Sequence, residues 1–158
     1  EKRSMALIDE ARDIRKGEQL DPQAVDLWIK SRVPNVEGQL QIRQFPGGAS
    51  NLTYWLGYDN CEFILRRPPF GTKAKSAHDM GREYKVMQAL KPILPLVPNM
   101  VAFCDAPAVM GCEFYLMERI KGIIPRRELP DELALTEAQV RELCINAIDT
   151  LIALHKAP

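Results

Sequence analysis

Hydrophobic positions along this chain change their period twice, and the changes mark out its elements. Residues 4–16 carry helix-forming types and end at Gly17, a good C-cap residue, which predicts a first helix. A second is predicted from Asp21, a good N-cap, with Pro22 at the first helical position. Val25, Trp28 and Ile29 fall on one face of it, and Pro34 closes it. The period then drops to two. Gln39-Leu40-Gln41-Ile42-Arg43-Gln44-Phe45 alternates polar and apolar as a half-buried strand does, residues 46–50 turn the chain, and residues 51–56 return. Asp59-Asn60 turns into a third strand, Glu62-Phe63-Ile64-Leu65-Arg66-Arg67, which Pro68-Pro69 ends because proline cannot donate to the ladder.

A helix over about residues 76–90 puts Ala77, Met80, Tyr84, Met87 and Leu90 on one stripe. Pro92, Pro95 and Pro98 then exclude regular structure. Residues 99–104 and 112–117 read as two more strands, joined by a turn over 106–111. Beyond Gly122 lies a Pro- and charge-rich connector, then a final helix that Thr136 caps, with Gln139 three residues on completing a capping box. Its Val140, Leu143, Cys144, Ala147, Ile148, Leu151 and Ile152 form an apolar stripe that predicts burial. The series predicts an α+β fold with a five-stranded antiparallel sheet.

Composition narrows the function classes. An apolar content of 46% suffices for one core in 158 residues. Twenty-one basic and 21 acidic residues give no whole-molecule field that would draw nucleic acid or a membrane surface. Cys61, Cys104, Cys112 and Cys144 lack metal-type spacing, which argues against zinc or a disulfide framework. No stretch has the ~18–20 apolar residues of a membrane span, and the charged first residues lead into no signal-type core. A reducing, cytoplasmic setting is the expectation.

Four features carry candidate chemistry. Gly47-Gly48, followed by Ser50, lies between paired strands, where two glycines allow positive φ and close approach of backbone N–H groups to an anion. The same dipeptide serves as a plain hairpin turn. Alternation puts Ile64 and Arg66 on one face of the third strand, and Phe63-Ile64-Leu65-Arg66 matches the kinase strand motif with arginine in place of lysine. The alternative is a solvent-exposed sheet-edge arginine, a role that Arg67 fits. Glu83 on the next helix can brace Arg66, or be an ordinary surface glutamate. Finally, an apolar strand runs through Met117 into Glu118-Arg119-Ile120-Lys121-Gly122, either a strand end or a hinge whose backbone near Glu118 and Ile120 meets adenine, with Met117 behind it.

Taken in order, Gly47-Gly48-Ala49-Ser50-Asn51-Leu52-Thr53-Tyr54, Leu65-Arg66-Arg67-Pro68-Pro69, Arg82-Glu83-Tyr84 and Leu116-Met117-Glu118-Arg119-Ile120-Lys121-Gly122 resemble the aminoglycoside phosphotransferase/choline kinase superfamily. The resemblance spans residues 20–158 and is to the branch that also occurs ahead of acyl-CoA dehydrogenase domains. It implies a protein-kinase-like N-lobe over residues 20–122, preceded by a helical extension (1–19) and followed by a connector and the first helix of a C-lobe (123–158). It implies ATP with Mg²⁺, a hydroxyl-bearing small-molecule acceptor, and nucleotide contacts from Gly47, Gly48, Ser50, Ile64, Arg66, Glu83, Met117, Glu118 and Ile120. No segment after Gly122 matches the family's His-Gly-Asp loop; Asp131, Asp149 and His155 lack its spacing, and His155 and His78 read as ordinary helix residues. The metal ligands are accordingly expected downstream. These residues alone are expected to be inactive, with a non-catalytic pseudokinase-like module as the alternative. The stripe on the last helix is expected to drive self-association when uncovered.

Overall fold

The computed structural model describes residues 8–46, 50–71, 79–125 and 129–158. Helix α1 (Pro22–Arg32) begins where the capping pattern placed it: the Asp21 carboxylate accepts from the backbone N–H groups of Gln23 and Ala24. It buries Val25, Trp28 and Ile29. Strands β1 (Gln41–Gln44), β2 (Leu52–Gly57) and β3 (Glu62–Arg67) form the expected antiparallel meander, with β1 shorter than the sequence suggested. Helix α2 (Met80–Leu90) follows, then β4 (Met100–Cys104), a short α3 (Pro107–Met110), β5 (Phe114–Met117) and α4 (Glu137–His155). The five strands make one antiparallel sheet in the order β1-β2-β3-β5-β4.

Register sorts the side chains onto two faces. Tyr54, Leu65 and Leu116 are paired neighbours across β2, β3 and β5, and all three are fully buried. With Leu56, Phe63 and Phe114 they meet α1, whose Trp28 ring stands edge-on to Phe114 at 4.8 Å. The opposite face carries Trp55, Ile64 and Met117 in one row, and Thr53, Arg66 and Tyr115 in the next. Helix α2 covers the β4–β5 end of this second face, Tyr84 lying against Phe103 and Tyr115. The remainder of that face is the floor of the site described below.

Several expectations are corrected. The described part of the first predicted helix is an extended arm: Arg12 and Gln44 exchange backbone hydrogen bonds of 2.7 and 2.8 Å. Helix propensity is worth only tenths of a kcal/mol per residue, whereas β1 would otherwise leave an open edge beside buried Gln44. The arm also satisfies that glutamine, whose amide is tied to Arg15 N–H and to Glu18. The Tyr54 hydroxyl donates to the Glu18 carbonyl at 2.7 Å, and burial pushes that phenol up to about 12. Helix α2 starts at Met80, capped by Asp79, and residues 76–78 of the predicted span lie outside the described residues. The 106–111 turn is helical, ending at Gly111 with φ 74°, a left-handed position that suits glycine. Arg67, expected in solvent, is 4% exposed and stacks 3.6 Å from the centre of the Phe70 ring, because it shares the α1-facing side with Leu65. Helix α4 has its predicted capping box; none of its residues is buried, and Ile148 and Leu151 are 58% and 51% exposed, so the stripe lies uncovered as the self-association expectation supposed.

Candidate functional site

A cavity of about 540 Å³ opens on the second face of the sheet. Phe45 and Pro46 wall it where β1 ends, and Thr53, Ile64 and Met117 line it from the sheet. The Ile64–Met117 cross-strand pair places those two apolar side chains side by side. Beyond Met117 the chain runs along the cavity through Glu118, Arg119 and Ile120 to Gly122 and Ile123. The slot is thus flat-sided and mostly apolar, with one wall of irregular backbone. Apart from the Glu118 N–H and the Gly122 carbonyl, which are paired with Asn99 and Asp9, such a wall can offer N–H and C=O groups to the edge of a planar ring.

That wall is held in place by side chains. The backbone N–H of Glu118 donates to the Asn99 carbonyl at 2.9 Å. The Glu118 carboxylate accepts from the Asn99 backbone N–H at 3.0 Å and its amide at 2.7 Å, which keeps the carboxyl below its ordinary range. Glu62, at the start of β3, binds the connector. Its carboxylate accepts from Trp55 Nε1 at 2.6 Å and Arg119 Nη1 at 2.8 Å, and Lys121 Nζ lies 2.9 Å away. Burial would raise the Glu62 carboxyl, but these three donors outweigh it and hold the group at about 2. Gly57 makes the arrangement possible, for a β-carbon there would collide with the Trp55 indole lying flat across it.

One row further along β3, about 7 Å at strand rise, stands Arg66. Its Nη1 is 3.7 Å from Glu83 Oε2, an ion pair looser than the 2.7–2.9 Å of a charge-assisted hydrogen bond. Its Nε is buried and has no hydrogen-bond partner among the described residues. The guanidinium is therefore oriented by the carboxylate while retaining donor capacity. Glu83 in turn is fixed by Asn51 Nδ2 and by the Tyr115 hydroxyl, each donating at 2.9 Å. Burial, together with the hydrogen bond that it gives to Glu83, pushes the Tyr115 hydroxyl above its ordinary range.

The structure brings Ile64, Met117, Glu118 and Ile120 together around the slot, and sets the Arg66–Glu83 pair beside it rather than in its lining. Ser50 is exposed, while Asn51 turns inward. Gly47 and Gly48 lie outside the described residues. Sequence reasoning passed over Asn51, Trp55, Glu62 and Tyr115. Asn51 stood in the quoted motif, but its role depends on a carboxylate 32 residues away.

The chain matches the phosphotransferase enzyme family over residues 41–158. It is 30% identical over 155 residues to acyl-CoA dehydrogenase family member 11 of Gallus gallus, an alignment covering 96% of this chain and 20% of that protein. It is 31% identical over 150 residues to acyl-CoA dehydrogenase family member 10 of Mus musculus, covering 90% of this chain and 14% of that one. The chain thus spans a fifth or less of these relatives. A solved structure from Ralstonia eutropha, assigned as an aminoglycoside phosphotransferase, superposes with a TM-score of 0.58 at 30% identity, covering 68% of this chain and 30% of that one. The fold is the kinase-like α+β fold of that neighbour, and the chain belongs to the phosphotransferase enzyme family.

Proposed function

We propose that this chain is the nucleotide-binding lobe of an ATP-dependent phosphotransferase that moves the γ-phosphate to a hydroxyl of a small molecule in the cytoplasm. The observation that carries the reading is the Arg66–Glu83 pair set one row beyond an apolar slot walled by residues 118–120. In this reading adenine lies against Ile64 and Met117 and is held at its edge by the connector backbone. The triphosphate turns toward Arg66, and Gly47, Gly48 and Ser50 are its proposed backbone and hydroxyl contacts. Arginine suits the task because its planar fork can keep one nitrogen near Glu83 and offer others to phosphate oxygens. Phosphoryl transfer is mostly positioning and charge stabilisation, so a lobe that orients the donor supplies a large share of the chemistry. Among the described residues no cluster of acidic or histidine side chains could hold Mg²⁺, so the reading takes from this chain only the positioning of the nucleotide. The acyl-CoA dehydrogenase relatives favour a hydroxylated acyl thioester over aminoglycosides, choline or sugars as the acceptor.

The test is Mg²⁺-ATP binding by titration calorimetry. The protein should bind ATP, and Arg66→Ala should weaken binding about tenfold or more, in line with loss of a charge-assisted contact. Affinity unchanged by that substitution would remove the phosphate contact from Arg66. The arginine standing where kinases have lysine also supports a second reading, a pseudokinase-like module that binds nucleotide without transfer. Sequencing the full parent transcript discriminates the two: a complete His-Gly-Asp loop downstream would remove the pseudokinase reading.

A further inference from the structure

The Arg66–Glu83 pair differs from the other ion pairs among the described residues. Those of Arg15, Lys30, Arg119 and Lys121 close to 2.7–3.0 Å, whereas Arg66 Nη1 stops at 3.7 Å from Glu83 Oε2. Exposure does not account for the gap, since Arg15 is more exposed than Arg66 and still closes on Glu18. What sets Glu83 apart is a neutral donor on each of its oxygens. Asn51 Nδ2 holds Oε1 and the Tyr115 hydroxyl holds Oε2, both at 2.9 Å. Glu62 has one neutral donor, Trp55 on Oε2, and takes Arg119 on that same oxygen and Lys121 on the other.

A guanidinium and a carboxylate are bound most firmly as a bidentate fork, with two parallel bonds of roughly 2.7–2.9 Å. The fork needs both oxygens turned to the guanidinium. Asn51 stands just before β2 and Glu83 on α2, and the amide that joins them commits Oε1, so only Oε2 is directed to Arg66. Arg66 Nε is meanwhile buried without a hydrogen-bond partner among the described residues. A guanidinium in that state still attracts an anion. One closed in a fork on Glu83 would have its charge and two of its donors already matched.

We propose that Asn51 is a positioning residue: by holding one oxygen of Glu83 it stops the carboxylate from closing on Arg66, and so keeps the guanidinium available to the phosphates of the nucleotide. The inference rests on the nucleotide reading of the slot. It gives a task to a buried side chain that is not part of the slot's lining.

The experiment is a double-mutant cycle in Mg²⁺-ATP binding, read by titration calorimetry. Asn51→Ala releases Oε1, lets the fork close, and should weaken binding about tenfold, the scale of one charge-assisted contact. Glu83→Gln removes the competing charge together with the brace and should weaken binding about threefold. Glutamine cannot form the charged fork, so the double variant should return to the Glu83→Gln value and bind ATP more tightly than Asn51→Ala. A merely structural role for Asn51 gives no such regain, and the cycle separates the contact with Glu83 from the rest of what the amide touches. Asn51→Asp keeps the size of the side chain and replaces the donor by a like charge, so it decides the matter if the alanine variant does not fold. It should lose at least as much affinity as Asn51→Ala, and Glu83→Gln should again restore the threefold level. Unchanged affinity in the Asn51 variants, or losses that multiply in the double variants, overturns the proposal while leaving the slot a nucleotide site. Failure of the wild type to bind ATP, or wild-type affinity in Arg66→Ala, overturns the reading on which it rests.

Discussion

Replacing Glu62 by glutamine isolates the charge that ties the connector to the sheet. Glutamine keeps the size of the side chain and an oxygen able to accept from Trp55, so the change falls on Arg119 and Lys121. A carboxyl held at about 2 rather than 4.5 corresponds to about 3.4 kcal/mol of differential stabilisation, at ~1.36 kcal/mol per tenfold. The side chain keeps 28% of its surface in solvent, and screening reduces that ceiling to roughly 1–2 kcal/mol. For a chain of this length, such a loss lowers the melting temperature by about 3–6 °C at pH 7. The sign with pH is fixed by the direction of the shift. A depressed carboxyl stabilises above its unfolded value near 4.5, and the contribution fades as pH falls toward 2. Thermal melts of both proteins from pH 7 down to pH 3.5 should therefore show a gap that narrows below about pH 4.5. A gap independent of pH would mean that the carboxylate charge does not hold the connector.

Tyr115→Phe removes one of the donors on Glu83 and should cost about 1–2 kcal/mol in urea unfolding. The loosened brace should also weaken ATP binding several-fold by calorimetry, whereas unchanged affinity would separate Glu83 from the nucleotide. Gly57→Ala should displace the Trp55 indole from Glu62, seen as a shift in tryptophan fluorescence, and destabilise by about 1–3 kcal/mol through overpacking. Thr136→Ala removes the capping box and should lower helix content by circular dichroism, at a cost of about 1 kcal/mol to α4. The exposed apolar stripe of α4 is expected to produce dimers or soluble aggregates in light scattering, and monodisperse monomer at high concentration would oppose that.

Local rules written in the sequence were enough for much of the frame. Asp21 and Pro22 start α1, Thr136 and Gln139 start α4, and alternation alone put Ile64 and Arg66 on one face of β3. These are short-range effects of capping geometry and side-chain period, and they need no partner distant in sequence. The fate of the first segment could not be read that way. Residues 8–16 favour helix by composition, but the open edge of β1 and buried Gln44 recruit them as an extended arm. Burial of α4 was likewise not a local property, since an apolar stripe is buried only where another surface covers it. The site divides along the same line. Arg66 and Glu83 could be nominated from motif order, but the contacts around them required the folded sheet: Asn51 and Tyr115 on Glu83, Glu62 on the connector, and Asp9 at the cavity mouth. Sequence determined the strands, the caps and the side of the sheet that bears the charge. Tertiary structure decided which distant donors and acceptors meet there, because hydrogen bonds between residues 32 to 57 positions apart depend on register and packing, not on local preference.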